Sequence, residues 1–189
     1  MRKVALTFGL LAGAVVSAFL LIGIALWENT GKVIDNVLVG YAIMVIALSM
    51  IFFGVKSYRD NYQSGEIRFW KGFQIGLFIT LVASFIYAFT WETYNRVSPK
   101  SASAFVDYYV ECQINKLKET GVSAADLDKE VSKINQYRSL YGNTAFRFGI
   151  TLMEIMPVGV VIALISAALL RKKEFLPSNE KIAARSNNA

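Results

Sequence analysis

The sequence of 189 residues contains no histidine and only one cysteine, Cys112. Without histidine the chain lacks the commonest general base, the usual metal ligand and the base of a Ser–His or Cys–His nucleophile pair. A single thiol can form neither an internal disulfide nor a thiolate zinc site. A Gly-x-Ser-x-Gly motif is also missing. We therefore predict that the protein is not an enzyme and that it carries no cofactor and no metal.

Charged residues are scarce, at 18% of the chain, whereas an average soluble domain has about 25%. Apolar residues make up 54% and the mean hydropathy is +0.42. These residues are concentrated in four long blocks without Lys or Arg, which excludes a disordered chain, a collagen and a disulfide scaffold. The net charge of +6 comes from basic residues that flank the blocks. We interpret them as signals of membrane topology and expect no nucleic-acid partner.

The four apolar blocks are long enough for helices that cross a hydrocarbon core of about 30 Å, which takes roughly 20 residues. Arg2 and Lys3 precede the first block, as in a signal peptide, but its apolar run is too long and no clear cleavage site follows. We interpret it as an uncleaved span. The predicted fold is all-α: a single membrane domain, 1–175, followed by a mobile cytoplasmic tail, 176–189. The predicted spans are 4–26, 37–55, 72–91 and 148–170.

The distribution of Lys and Arg predicts the orientation of these spans. Basic residues are frequent in the segments 1–3, 56–71 and 171–189, whereas the connection 28–36 contains only Lys32. Cytoplasmic loops carry an excess of Lys and Arg, so we predict that both termini lie in the cytoplasm. Aromatic residues that suit the membrane interface lie at the span ends, namely Trp27, Trp70, Trp91 and Tyr94.

The segment 101–143 between spans three and four is polar but periodic. Its first half has apolar residues at helical spacing. Gly121 is a candidate helix stop, and Ser123 is a candidate N-cap with Asp126 three residues later. We predict an extracytoplasmic two-helix hairpin whose apolar faces pack together. It is either a docking surface for a partner or a cap that packs on the spans or on itself. Cys112 within it is either an intermolecular bridge or a small buried residue.

Glu154 is the only charged residue in the fourth apolar block. An ionised acid within the membrane is costly, so Glu154 should face other helices and be protonated or partnered. Pro157 lacks an N–H and leaves the Met153 carbonyl without its helical partner. Together with Glu92, at the outer end of span three, these residues form a candidate ion or proton site. The alternative is a hydrogen bond from Glu154 to a hydroxyl of a neighbouring helix, with the candidates Thr80, Ser84, Tyr87 and Thr90.

Two further patterns suggest contacts. The loop 56–71 contains four basic residues that could bind lipid headgroups, although topology alone would also require them: Lys56, Arg59, Arg68 and Lys71. Small residues recur at spacings of four on spans one and three, which lets helix backbones approach closely. This spacing fits packing within one chain and oligomerisation equally well. The residues are Gly9, Gly13 and Ser17 on span one, and Gly72 and Gly76 on span three.

Three stretches resemble a bacterial integral-membrane family, catalogued as domain of unknown function four-one-nine-nine. They are GYAIMVIALSMIFFGVKSYRD (40–60), GFQIGLFITLVASFIYAFTWETY (72–94) and FRFGITLMEIMPVGVVIALISAALLRKKEF (146–175). The most specific motifs are KSYRD, with Arg59 and Asp60, and TLMEIMPVG, with Glu154 and Pro157. The resemblance implies a four-pass protein of the bacterial inner membrane. It implies no activity, ligand or catalytic residue.

Two functional hypotheses follow from these residues. The first is a non-catalytic accessory or interaction protein of the cell envelope, with membrane lipid and a membrane-protein partner or a second copy as its contacts. The alternative is a small transporter or ion pathway that uses Glu154, although the spans offer few other polar groups to line an aqueous route. A carboxylate pair of Glu92 and Glu154 acting in acid–base catalysis is disfavoured, since each acid has a simpler explanation.

Overall fold

The computed structural model describes residues 1–31, 37–121, 123–172 and 175–176. Within these ranges the chain is all-helical and contains no strand. The predicted tail, 176–189, lies outside the described residues except for Leu176, so its mobility stays a prediction. The helices are α1 Arg2–Thr30, α2 Val37–Leu48, α3 Met50–Tyr62, α4 Phe69–Val97, α5 Pro99–Glu119, α6 Ala124–Tyr141 and α7 Thr144–Leu170.

Four helices are long and apolar enough to cross a membrane: α1, the α2–α3 segment Leu38–Tyr62, α4 and α7. This confirms the predicted all-α fold with four spans, and the chain is a multi-pass membrane protein. Each helix extends beyond its apolar block, because an existing helix gains a backbone hydrogen bond with each residue added at its end. The apolar block therefore marks the part of each helix that suits the lipid and underestimates the length of the helix.

The second span contains one irregular residue, Ser49, between α2 and α3. The Ser49 hydroxyl donates a hydrogen bond to the Ile46 carbonyl at 2.6 Å, and its backbone N–H donates to the Val45 carbonyl at 2.9 Å. A serine hydroxyl that bonds to the preceding turn commonly bends a helix. The hydrogen bonds keep the backbone polar groups satisfied inside the chain, which the membrane interior requires.

Helix α4 packs against both α1 and α7 along surfaces of small residues. A Cβ added at Gly9 of α1 would lie 2.6 Å from Val82 Cβ of α4, and one added at Gly76 would lie 2.6 Å from Ala163 Cβ of α7. These distances are too short for a methyl group. The small residues on spans one and three are therefore used for packing inside the chain. Ser17 makes a related contact, since its hydroxyl accepts a hydrogen bond from Thr90 at 3.1 Å.

The segment between α4 and α7 forms α5 and α6. Gly121 has a positive φ of 68°, which ends the α5 region, and the Ser123 hydroxyl accepts a hydrogen bond from the Asp126 N–H at 3.3 Å. The predicted stop and N-cap are thus in place. Arg138 of α6 pairs with Asp107 of α5 at 2.6 Å. We call the end of the bundle next to α5 and α6 the hairpin end, and the opposite end the tail end.

The apolar faces of α5 and α6 do not close fully on each other, in contrast to the predicted face-to-face packing. Val106, Val110 and Ile134 are only partly buried, because they line a cavity between these helices and the spans. Cys112 is likewise partly buried and is a free thiol. The side of the membrane on which α5 and α6 lie stays a prediction from the charge distribution.

Candidate functional site

A cavity of about 860 Å³ lies between α5, α6 and the hairpin-end halves of α1, α2, α4 and α7. We call it the hairpin cavity. Leu20, Met44 and Ile150 supply apolar wall from three different spans, and α5 and α6 cover it with the apolar residues described above. Its volume falls within the range of roughly 300–1,000 Å³ that small-molecule sites have in proteins.

Tyrosines are concentrated in the lining of the hairpin cavity. Five of the nine tyrosines of the chain line it, and they come from α2, α4, α5 and α6: Tyr41, Tyr87, Tyr109, Tyr137 and Tyr141. A tyrosine offers an apolar ring, a negative ring face and a hydroxyl, so such a wall can hold molecules that are partly apolar and partly polar or cationic.

Glu154 lies in the wall of the hairpin cavity and is exposed there. The Tyr87 hydroxyl donates a long hydrogen bond of 3.5 Å to Glu154 Oε2. No cation among the described residues lies within ion-pair distance of Glu154. The other hydroxyls predicted as partners bond elsewhere: Thr80 to the Gly76 carbonyl and Ser84 to the Thr80 carbonyl, both at 2.9 Å, and Thr90 to the Ser17 hydroxyl and the Ile86 carbonyl.

Glu92 has a different partner from Glu154. Arg147 donates two hydrogen bonds of 2.9 Å to the Glu92 carboxylate, through Nε and Nη2, and a third of 3.1 Å to the Tyr141 carbonyl through Nη1. No hydrogen bond of the described residues joins Glu92 to Glu154. The structure therefore separates the two acids that the sequence grouped in one site.

Sequence reasoning missed Arg147. It lies one residue before the fourth apolar block and outside the polar segment 101–143. Its position seven residues before Glu154 was the available signal, because residues seven apart share a helix face. Along α7 the two residues are about 10 Å apart at 1.5 Å per residue. Arg147 lies nearer the hairpin end and Glu154 deeper in the span.

Tyr141 joins the hairpin to α4 at the edge of the cavity. The Trp91 indole donates a hydrogen bond of 2.8 Å to the Tyr141 hydroxyl. Burial raises the pKa of the Tyr141 phenol, and the hydrogen bond from Trp91 opposes this rise. The phenol therefore remains neutral at physiological pH and keeps its own proton to donate. Trp91 also packs on the rings of Phe105 and Tyr94, so this edge of the cavity is rigidly built.

Pro157 lies inside α7, one turn further toward the tail end than Glu154. It is not among the described residues that line the cavity. Within the described ranges, no group of three or more His, Cys, Asp or Glu residues is placed to hold a metal ion. The acidic chemistry of the cavity is therefore that of one carboxylate.

The sequence of the chain matches a known protein family. The model of the family described as Protein of unknown function (DUF4199) matches residues 7–172. The chain belongs to this family. The match includes most of the first span, the other three spans, and Arg59, Glu92 and Glu154, and it confirms the resemblance seen in the sequence. No curated protein and no solved structure matches the chain. Neither the fold class nor the family description specifies an activity. The evidence for function therefore lies in the site itself.

In this DUF4199 protein the KSYRD motif forms a polar cluster at the tail end. Arg59 has 0% of its surface exposed and donates hydrogen bonds to Asp60 at 2.8 Å, to the Phe175 carbonyl at 2.9 Å and to the Leu176 carbonyl. Lys56 pairs with Asp60 at 2.6 Å. Arg59 thus ties the residues after α7 to α3, and its donors are used within the chain.

The four residues predicted to bind lipid headgroups therefore differ in how far their side chains are exposed. Arg59 is buried, as described above, and offers no surface to a lipid. Arg68 is exposed, and Lys56 and Lys71 are partly exposed. Contact of these three residues with anionic lipid stays a prediction.

Proposed function

We propose that the protein is a non-catalytic binding protein of the bacterial inner membrane that takes an amphiphilic small molecule into the hairpin cavity. The observation that supports this proposal most directly is the placement of Glu154. Glu154, which has no cationic partner within the described part of the chain, lies in the wall of a tyrosine-lined cavity of about 860 Å³. A few polar groups on a mostly apolar wall are typical of ligand sites, where they fix the orientation of the ligand.

The shape of the bundle favours binding over passage through the membrane. On the tail-end side of Glu154, α4 and α7 pack without space for a methyl group: a Cβ at Gly159 would lie 2.2 Å from Thr80 Cγ2. Ile79 and Ile155 in the same interface have 0% exposed surface. A transported ion or solute would have to open this interface. The alternative role as a transporter or ion pathway is therefore less well supported than a binding role.

The proposed orientation of the protein in the membrane follows from the distribution of Lys and Arg. We place the hairpin end outside the cytoplasm and both termini inside, because the short basic segments lie at the tail end. In this orientation the cavity faces the outer leaflet, and its occupant comes from that leaflet or from the outer compartment. Membrane lipid at Lys56, Arg68 and Lys71, and a membrane-protein partner or a second copy, remain further proposed contacts.

The binding proposal can be tested with three amphiphiles that share one alkyl chain: dodecyltrimethylammonium, dodecanol and dodecanoate. The full chain is placed in phosphatidylcholine nanodiscs. Binding is measured by native mass spectrometry after the protein is released from the nanodisc. We expect saturable one-to-one binding of at least one of the three molecules. Ile150→Trp should weaken it, because Ile150 lines the cavity and the larger ring narrows it.

Val161→Trp is the matched control, because Val161 is an exposed residue of the same helix outside the cavity lining. It should leave binding unchanged. The proposal is overturned if none of the three amphiphiles binds saturably, or if Ile150→Trp and Val161→Trp bind them equally well. Flux of a bound amphiphile or ion across proteoliposomes would favour the transport alternative.

A further inference from the structure

We infer that the occupant of the hairpin cavity is an organic cation, a quaternary ammonium or protonated amine carried on an apolar body. This inference rests on the proposed binding function and adds the chemical class of the ligand. The charges of the lining, its tyrosines and the size of the cavity all favour such a ligand.

One acid of the lining, Glu154, has no ion-pair partner among the residues that the structure describes. Glu154 and Arg138 are the charged residues among the described residues that line the cavity. Arg138 is already paired, since its Nη2 lies 2.6 Å from Asp107 Oδ1. Glu154 has only the long hydrogen bond from the Tyr87 hydroxyl. A carboxylate at this depth in a membrane helix is costly, and a bound cation would compensate its charge.

The tyrosine side chains suit a cation for a second, independent reason. The face of an aromatic ring is negative, and cages of such rings are a common way to bind quaternary ammonium groups. Tyr87 contacts the Glu154 carboxylate directly, and Tyr109, Tyr137 and Tyr141 reach the same cavity from the hairpin. An ammonium group in the hairpin cavity would therefore have a carboxylate and several tyrosine side chains in the surrounding wall.

The size and composition of the cavity argue against an inorganic ion. Ca²⁺ takes six to eight oxygen ligands at close range, whereas the described lining offers one carboxylate. A bare ion would also leave most of the volume of about 860 Å³ unused. The apolar wall, with Met44 and Ile150 among its residues, suits the hydrocarbon body of an amphiphile.

The same three dodecyl probes test the charge preference, in zwitterionic nanodiscs so that lipid charge does not concentrate the cation. We expect dodecyltrimethylammonium to bind about tenfold more tightly than dodecanol, and dodecanoate to bind least. Glu154→Gln removes the charge and keeps the shape, so it should bring the affinity for dodecyltrimethylammonium to that for dodecanol, measured on the same variant. Circular dichroism verifies that the variant is folded.

A second pair of variants tests the aromatic contribution without touching Glu154. Tyr137→Phe keeps the ring and should retain cation binding, whereas Tyr137→Leu should weaken it about threefold. The cation inference is overturned if the unmodified chain binds the three probes with equal affinity and Glu154→Gln does not change these affinities. Binding in the cavity would stand in that case. If Ile150→Trp binds the three probes as tightly as the unmodified chain does, the binding function itself is overturned. A preference for dodecanoate would contradict the inference outright.

Discussion

Arg147 and Glu92 form a two-point ion pair that joins α7 to α4 at the hairpin end of the bundle. The distances Nε–Oε2 and Nη2–Oε1 are both 2.9 Å, and the side chains are 12% and 10% exposed. Parallel hydrogen bonds of this kind fix the relative position of two helices as well as their charges. Arg147 lies about 10 Å along α7 from Glu154, on the side of the hairpin.

Removal of Arg147 should strongly destabilise the protein. Arg147→Met leaves the buried Glu92 carboxylate with only the long contact to Arg96, which we expect to lower the free energy of unfolding by about 3–5 kcal/mol. Thermal unfolding followed by circular dichroism in mild detergent measures the effect. Arg96→Ala is the control: this side chain is 75% exposed and lies 3.7 Å from Glu92, so its loss should change stability little.

The double variant Glu92→Leu/Arg147→Met removes both charges and should be more stable than Arg147→Met alone, because no unpaired charge remains. If Arg147→Met melts like the unmodified chain, the pair contributes no measurable stability and the account of the hairpin end is wrong.

Arg59 should hold the residues after α7 against α3. Arg59→Lys keeps the charge but loses the planar fork that reaches several acceptors, so we expect faster hydrogen exchange at Phe175 and Leu176. Mass spectrometry of exchanged peptides measures this. Arg68→Lys, at an exposed position of the neighbouring loop, is the control. Equal exchange in the two variants would contradict the anchoring role of Arg59.

Two glycines of α7 should respond oppositely to the same change. A Cβ at Gly159 would lie 2.2 Å from Thr80 Cγ2, whereas a Cβ at Gly149 meets nothing within 4 Å. We expect Gly159→Ala to destabilise the protein by about 1–3 kcal/mol through overpacking. Gly149→Ala should be neutral or mildly stabilising, since alanine is the better helix former. Thermal unfolding of the two variants side by side decides the matter, and equal melting temperatures would refute the close α4–α7 contact.

The proposed orientation can be measured by cysteine labelling in intact cells. In a Cys112→Ser background, Ser139→Cys places an exposed thiol on α6 and Gln63→Cys places one at the tail end of α3. A membrane-impermeant maleimide should label the first in intact cells and the second only after lysis. The reverse pattern would invert the topology and place the hairpin cavity on the cytoplasmic face.

Local chemistry explains why parts of the structure followed from the sequence. The four spans depend on length and apolarity, which any helix must have to face lipid. Ser123 and Gly121 act on backbone groups within a few residues, so their roles as N-cap and stop were visible in the chain itself. The family motifs likewise identified the residues around Arg59 and Glu154, though not what they touch.

Contacts between distant residues needed the tertiary structure. Arg147 and Glu92 are 55 residues apart, and Arg59 meets carbonyls more than 110 residues away. Which helix faces which depends on how side chains of several helices fit together, and a lipid-facing apolar pattern carries little information about this fit.

The sequence by itself determined that this chain crosses a membrane four times and keeps one acid within a span, because hydrocarbon thickness and the cost of charge act on each helix separately. The tertiary structure alone decided that Glu154 faces a tyrosine-lined cavity under α5 and α6 while Glu92 is neutralised by Arg147. The physical reason is that a cavity and an ion pair exist only between elements, and the approach of those elements is set by the packing of small residues such as Gly76 and Gly159.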